Sequence, residues 1–210
     1  PGSVMPPVPS ADPPLTELGR EQARLLGRRL SSDGFRGRIY SSPYRRTLET
    51  AEVIAGELGR SIFPERALQE WIPSDGKPDF QTLGIAEIME FYGNVDRGAK
   101  IPDDWLFTGP EDERAVQDRL RPFIEPLRAS GEDVLLVGHG ASVDGCRDLL
   151  LGEKASSEHV QWGVSWNCGL SSYRVRDGQE VELIRLNDVD HLPEEMVSSN
   201  SKFRNDPTTT

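Results

Sequence analysis

Apolar residues recur along this chain with two spacings, which together predict helices that alternate with short strands. Between residues 17 and 31 the leucines fall on one side of an amphipathic helix, and Thr16 stands where a helix N-cap is expected. Residues 134–137 are consecutive apolar residues that stop at Gly138, a run too short for a helix and typical of a strand buried on both faces. The predicted helices are 17–31, 44–58, 85–92, 111–129 and 141–151, and the predicted strands are 38–42, 61–63, 134–137, 170–176 and 181–186. We expect Pro122 and Pro126 to disturb the later turns of the fourth helix, and the last two strands to form a hairpin around Asp177-Gly178. This alternation predicts an α/β fold with a largely parallel sheet.

The segments outside these elements divide the chain into one domain with an irregular segment before it and a polar tail after it. Residues 1–14 are rich in proline and predict an irregular N-terminal segment, and residues 15–195 form the domain. Within the domain, residues 70–110 have an irregular pattern that indicates an insertion or cap. The stretch from 196 to 210 is a polar tail that we expect to be disordered.

Net charge, cysteine content and the lengths of the apolar runs exclude some classes of function. The 210 residues carry a net charge of −11, which argues against a general nucleic-acid binder but leaves room for a local basic pocket. The two cysteines are too few for a disulfide framework and favour a reducing cytoplasm. No apolar run reaches the length of a membrane span, and no signal peptide is visible.

Two predicted strands end in residues suited to phosphate chemistry. The run 134–137 leads into Gly138-His139-Gly140, and the earlier strand leads through Ser42 to Arg46 in the first turn of a helix. A helix N-terminus combined with a guanidinium favours an anion, and carboxyl ends of parallel strands meet at one sheet edge. The alternatives are a solvent-facing arginine pair and a core imidazole satisfied by its neighbours.

Glu70 is the candidate acid. The adjacent Trp71 can shield its carboxyl from water, which would raise the pKa and suit a proton donor. The alternative is an ordinary surface glutamate. His159 and His191 occur in polar or loop contexts that indicate structural or exposed roles, and the cysteines show no metal-like spacing.

These pieces, in this order, resemble the histidine phosphatase superfamily, the phosphoglycerate mutase-like family. The blocks that carry the resemblance are Asp12-Pro-Pro-Leu-Thr-Glu-Leu-Gly-Arg-Glu-Gln-Ala23, Ser41-Ser-Pro-Tyr-Arg-Arg-Thr-Leu-Glu-Thr-Ala51, Leu68-Gln-Glu-Trp71 and Val137-Gly-His-Gly140. The resemblance implies a three-layer sandwich in which a mostly parallel sheet is flanked by helices. Asp12-Pro-Pro-Leu-Thr16 and His139-Gly-Ala-Ser-Val-Asp144 are similar to the branch that contains the suppressor-of-T-cell-receptor-signalling phosphatases.

The resemblance also implies a mechanism. A histidine within an Arg-His-Gly motif attacks phosphorus, Arg46 and Ser42 bind the phosphoryl oxygens, His139 donates to them, and Glu70 protonates the leaving oxygen. No metal or cofactor is needed, because arginines and imidazoles supply the positive charge. The implied substrate is a phosphorylated small molecule or a phosphopeptide, with no nucleic-acid or membrane partner, and a homodimer is one open arrangement.

The chain departs from the family at the nucleophile. It contains no Arg-His-Gly, no histidine precedes His139, and its first residue is proline. We therefore expect a chain cut short upstream, since loss of an internal strand alone would cost more than the roughly 5–15 kcal/mol that stabilises a domain. The expected function is a phosphomonoesterase whose nucleophile segment lies outside this chain. A non-catalytic binding or scaffold module and a phosphoglycerate-type mutase stay open as alternatives.

Overall fold

A three-stranded parallel sheet organises the fold. The computed structural model describes residues 12–71, 83–102, 105–107, 109–152, 165–176 and 178–199. Strand β1 (Arg38–Ser41) is central and pairs in parallel with β2 (Ile62–Pro64) and β3 (Val134–Val137). The register sets Ser41 opposite Val137, so the carboxyl ends of β1 and β3 are level.

Helices cover both faces of this sheet, as the predicted three-layer sandwich requires. The helices are α1 (Glu17–Ser32), α2 (Arg45–Leu58), α3 (Ile85–Phe91), α4 (Glu113–Ser130) and α5 (Gly140–Leu151). One core joins α1 and α2 to a sheet face that includes Ile39 and Leu135. The other joins α4 and α5 to the opposite face, which presents Tyr40 and Leu136. The alternation of side chains along each strand therefore fills two cores.

The chain's own residues explain where the helices end. The Thr16 hydroxyl accepts from the backbone N–H of Gly19 at 3.1 Å, and α2 ends at Gly59 in a left-handed conformation with φ of 62°. The expected disturbance of α4 by Pro122 and Pro126 does not interrupt it. Buried Leu120 lies on the inner face of that helix, where tertiary packing outweighs the unfavourable proline propensity.

The C-terminal hairpin forms as predicted but as a separate sheet. Strands β4 (Leu170–Arg174) and β5 (Glu182–Asp188) pair antiparallel, and within the described ranges neither pairs with the parallel sheet. Asp177 of the predicted turn lies outside the described residues. Strand β3 is consequently an edge strand in the part of the chain that the structure describes.

The expectation of disorder from residue 196 onward is wrong for residues 196–199. The Gln22 side-chain amide donates to the Met196 carbonyl at 2.6 Å and to the Ser198 hydroxyl at 2.9 Å. Ser199 also forms a bridge with Trp166. Polar composition alone missed this, because the anchor is a buried glutamine on α1. None of the helices in the described ranges is long and apolar enough to cross a membrane.

Candidate active site

The level carboxyl ends of β1 and β3 bring Arg46 and His139 together. Arg46 lies in the first turn of α2, which begins shortly after β1, and His139 is the N-cap residue of α5, directly after β3. The Arg46 Nη2 atom lies 3.0 Å from His139 Nδ1. Residues 93 positions apart in the chain thus meet at one edge of the sheet, as the parallel pairing requires.

The turn around His139 is fixed by Ser142. The backbone N–H of His139 donates to the Ser142 hydroxyl at 2.8 Å, and that hydroxyl donates to the His139 carbonyl at 3.0 Å. Gly138 permits this approach, because a β-carbon at that position would overlap the Ser142 oxygen. The residue that precedes His139 is therefore glycine for a steric reason.

The two ring nitrogens of His139 have different partners, and these assign its tautomer. A guanidinium can only donate, so Nδ1 accepts from Arg46 and the ring proton belongs on Nε2. Nε2 donates to the Ser42 hydroxyl at 2.9 Å. Burial, together with the positive charge of Arg46, holds the pKa of His139 well below its usual range. The imidazole is thus neutral near pH 7.

Tyr44 supports both of these side chains. It is fully buried, the carbon centre of the Arg46 guanidinium lies 4.8 Å from its ring centroid, and the His139 ring contacts it edge-on at 5.0 Å. Trp105 packs edge-on against the other side at 5.6 Å. A cation over an aromatic face is attracted by the ring quadrupole, so Tyr44 orients the guanidinium as well as filling space.

The N-terminus of α2 is occupied by the protein's own carboxylate. The sequence predicts that its N–H groups bind phosphate, but both Asp12 carboxylate oxygens accept from the Arg45 backbone N–H, at 2.9 and 3.0 Å. The same carboxylate lies 3.6 Å from Arg46 Nη1. Burial of Asp12 raises the pKa of its carboxyl. At least the first of these helix N–H groups is therefore taken, and Arg46 and His139 face the groove instead.

Glu70 completes the cluster. Its Oε2 atom lies 4.0 Å from Arg46 Nη2 and 3.8 Å from His139 Nδ1. About a third of its side chain is exposed, 32%, yet burial of the carboxyl is the main cause that raises its pKa, ahead of the opposing effect of Arg46. The acid that the sequence predicts therefore stands where it can exchange a proton with a group bound at Arg46 and His139.

The segment that carries Glu70 is held from behind by two polar side chains. The Gln69 amide donates to the Phe107 carbonyl at 3.1 Å and accepts from the Phe107 N–H at 2.8 Å. Arg119 donates to the Gln69 carbonyl at 3.3 Å and is itself held by Glu111 at 2.6 Å. These contacts fix the position of Glu70 relative to α4.

A groove of about 1950 Å³ opens at this cluster. It runs along β3 and is bordered on its other side by β4, with Leu26 of α1 and Leu150 of α5 among its apolar lining. Ser42 is fully buried and lies outside the lining, behind His139. The prediction that Ser42 binds phosphate stays a prediction, and in this geometry its hydroxyl contacts the imidazole.

Sequence reasoning missed Asp12, Tyr44 and Arg119 as parts of this cluster. Asp12 and Tyr44 stand inside two of the four blocks that carry the family resemblance, so their position was a usable signal. Arg119 has no local signal for a role at the site, because the Gln69 carbonyl through which it supports Glu70 is 50 positions away in sequence. His191 is half-buried near Asp188 and outside the groove lining, and His159 lies outside the described residues. Among the described residues, no group of acids, histidines and cysteines could hold a metal ion.

Comparison with known proteins identifies the family of the chain. The family model of the histidine phosphatase superfamily (branch 1) matches residues 8–189. The chain belongs to the histidine phosphatase superfamily.

Particular relatives place it among phosphatases and mutase-like proteins. Phosphoserine phosphatase 1 of Hydrogenobacter thermophilus is 31% identical over 188 residues, which is 87% of this chain and 84% of that protein. Phosphoglycerate mutase-like protein 4 of Arabidopsis thaliana is 27% identical over 87% of this chain and 78% of its own length. Of the solved structures, the ecdysone phosphate phosphatase of Bombix mori in complex with tungstate superposes with a TM-score of 0.65 at 23% identity, covering 84% of this chain and 73% of that one. Bacillus stearothermophilus YhfR superposes with a TM-score of 0.59 at 26% identity, covering 89% and 91%.

Proposed function

We propose that this protein is a phosphomonoesterase in which Arg46 and His139 bind the phosphoryl group and Glu70 protonates the leaving oxygen. The observation that carries the proposal is the meeting of Arg46 Nη2, His139 Nδ1 and Glu70 Oε2 within 4.0 Å at one end of a groove. A guanidinium, an imidazole and a carboxyl of raised pKa are the groups that phosphoryl transfer without a metal requires.

The proposed roles follow from the protonation states. An incoming phosphate dianion beside neutral His139 raises the pKa of the imidazole, because the imidazolium is then paired with a negative charge. Nδ1 can take a proton and donate it in a hydrogen bond to a phosphoryl oxygen, while Nε2 keeps its contact with Ser42. Binding of phosphate is therefore coupled to proton uptake at the cluster.

The proposed reaction has two steps. A histidine nitrogen attacks phosphorus as the ester bond breaks, and Glu70 transfers its proton to the departing alkoxide. Water then attacks the phosphohistidine, Glu70 takes the water proton, and inorganic phosphate leaves. His139 does not fit the nucleophile's role, since both of its ring nitrogens are engaged by Arg46 and Ser42.

We propose that the nucleophilic histidine is carried by an extended segment, absent from this sequence, that binds in the groove between β3 and β4. In the part of the chain that the structure describes, β3 is an edge strand, and its residues Val134 to Val137 include no charge or proline, which is unusual for an edge that faces water. The carboxyl end of that edge leads to His139. A strand added parallel to β3 would end beside the Arg46 guanidinium.

The test is an engineered gain of function. The chain is extended at its N-terminus by a short apolar strand, Arg-His-Gly and a flexible linker, and p-nitrophenyl phosphate hydrolysis is measured. The chain without the extension should be inactive, the extended chain should turn over, and Glu70→Gln in the extended chain should slow it. The matched control carries Arg-Ala-Gly. Equal rates with histidine and alanine in the extension would refute the proposed mechanism.

Binding of inorganic phosphate tests the site apart from turnover. Arg46→Ala should weaken binding roughly 10- to 100-fold, the loss expected for charge-assisted hydrogen bonds of about 1.5–3 kcal/mol. The control is Arg114→Ala, which removes the same charge from an 89% exposed side chain on α4. Equal losses in the two variants would show that net charge, and not this site, determines binding.

A further inference from the structure

We infer that the substrate is a phosphate ester of an apolar, preferably aromatic, alcohol, and that Trp71 contacts the leaving group. This inference rests on the proposed function, because it concerns the alcohol side of the ester whose phosphoryl group Arg46 and His139 bind. It follows from the chemistry of the residues at the mouth of the groove beside Glu70.

The position of the leaving group follows from the position of the acid. Glu70 protonates the leaving oxygen, so the carbon attached to that oxygen lies next to the Glu70 carboxyl. Trp71 is the next residue. Its backbone N–H donates to Glu70 Oε1 at 3.0 Å, and Trp71 lines the groove. The alcohol part of the ester must therefore lie against the indole ring of Trp71.

The mouth is apolar and exposed. We use the name apolar mouth for Pro13, Pro14, Leu15, Leu18 and Trp71, all of which line the groove. Leu18 and Trp71 are 42% and 38% exposed, and they are two of the three large hydrophobic side chains that the described part of the chain leaves exposed. Exposed apolar side chains gathered beside a catalytic cluster favour an apolar ligand.

The charges around the cluster disfavour a substrate with a second anionic group. Glu49 lies 2.6 Å from Arg20 and 3.9 Å from Arg45, and Glu111 lies 2.6 Å from Arg119, so each of these arginines faces a carboxylate.

Arg46 is the arginine of the cluster that lines the groove, and carboxylates lie close to it. Asp12 and Glu70 lie 3.6 and 4.0 Å from its guanidinium, and exposed Glu113 lines the same groove. A carboxylate on the alcohol would be repelled by these groups. The site therefore favours an aryl or other apolar ester over phosphoglycerate.

The experiment measures binding to the chain as it exists, by titration calorimetry with inorganic phosphate, phenyl phosphate and 3-phosphoglycerate. Phenyl phosphate should bind about three- to ten-fold more tightly than phosphate, the range expected for one added aromatic contact. 3-Phosphoglycerate should gain nothing over phosphate. Trp71→Ala should abolish the ratio by which phenyl phosphate binds more tightly than phosphate, and Trp71→Phe should keep most of that ratio.

Ile184→Ala is the matched control. Ile184 is also 38% exposed and lines the same groove, but its neighbour Arg185 pairs with Asp33 at the opposite end of α1 from Leu15 and Leu18, so the variant should change neither affinity. Three results would overturn the inference and leave the proposed function intact. These are phenyl phosphate that binds no more tightly than phosphate, 3-phosphoglycerate that binds more tightly than phosphate, and a Trp71→Ala variant in which the affinities for phosphate and phenyl phosphate fall equally. Absence of binding by all three ligands would overturn the proposed function, and the inference with it.

Discussion

At the scale of single residues, the site depends on side chains that hold the reacting groups in place. Tyr44 is the clearest of these, because one buried ring contacts the Arg46 guanidinium on its face and the His139 imidazole at an angle of 73°. Orientation of a few donors is what separates an anion site from a general positive patch.

Replacing the Tyr44 ring should therefore weaken anion binding. Tyr44→Leu should lower phosphate affinity roughly three- to ten-fold, since a cation–π contact contributes about 0.5–2 kcal/mol. It should also lower the free energy of unfolding by about 1–3 kcal/mol through altered core packing. Tyr44→Phe keeps the ring and should retain the affinity. Calorimetry and urea unfolding measure both quantities, and equal affinity losses in the two variants would refute the role of the ring.

The pKa of Glu70 gives the site a pH dependence of defined sign. Because burial raises this pKa, the carboxyl gains its proton at a higher pH than an exposed glutamate does. Loss of its negative charge, 4.0 Å from Arg46, removes a repulsion on any bound anion. Affinity should thus rise as the pH falls through this pKa, and buried Asp12, whose pKa is also raised, should act in the same direction.

Sulfate is the suitable probe, since it does not itself titrate in the range concerned. Its affinity should increase on acidification in the wild-type chain. In Glu70→Gln it should be higher at pH 7 and change less with pH. A pH profile that is the same in the two proteins would contradict the assigned position of Glu70.

At the scale of elements, the turn from β3 into α5 fixes His139, and it does so through a glycine. A methyl group at Gly138 would overlap the Ser142 hydroxyl that bonds the His139 backbone. At the opposite end of the sheet, a methyl group at Gly37 would overlap the Asp133 carbonyl, which accepts from Arg38 N–H at 3.1 Å.

Alanine substitutions at these two glycines should distinguish an effect on stability from an effect on phosphate affinity. Gly138→Ala should lower phosphate affinity and cost about 1–3 kcal/mol of stability. Gly37→Ala should cost stability to at least the same extent but leave phosphate affinity unchanged at a temperature where the protein is folded. Thermal unfolding and calorimetry give both numbers. Unchanged affinity in Gly138→Ala would show that the turn does not position His139.

Most elements of the fold could be predicted from the sequence, because local signals mark their ends. Thr16 marks the start of α1 and Gly59 marks the end of α2. The apolar run before Gly138 clearly predicts a strand. The separation of the β4–β5 hairpin from the parallel sheet could not be foreseen, since strand pairing depends on distant segments. Nor could the anchoring of residues 196–199, which depends on the buried Gln22 side chain.

The site was predictable in part for the same reason. Arg46, His139 and Glu70 stand at strand ends or beside tryptophan, where sequence order indicates proximity. The capture of the α2 N-terminus by Asp12 is a contact between segments 33 positions apart, so helix-terminus reasoning alone assigned those N–H groups to phosphate.

At the scale of the whole molecule, the groove along β3 is lined by partly buried apolar side chains, and an added strand would cover the edge that β3 presents in the described part of the chain. Val134 to Val137 line it together with apolar residues from both helical layers. The native chain should therefore bind the dye ANS with a rise in fluorescence, which reports accessible hydrophobic surface. Extension of the chain by an apolar strand should reduce that signal, whereas an extension of serine and glycine should not. Equal fluorescence in the two extended chains would show that the groove does not accept a strand.

Arg46 and His139 should bind one oxyanion between them, and a crystal structure of the chain with tungstate would show where the anion lies. We expect the anion within hydrogen-bonding distance of the Arg46 guanidinium and the His139 Nδ1 atom, next to the Glu70 carboxyl. Tungstate bound elsewhere, with these two side chains still in mutual contact and no anion on either, would contradict it.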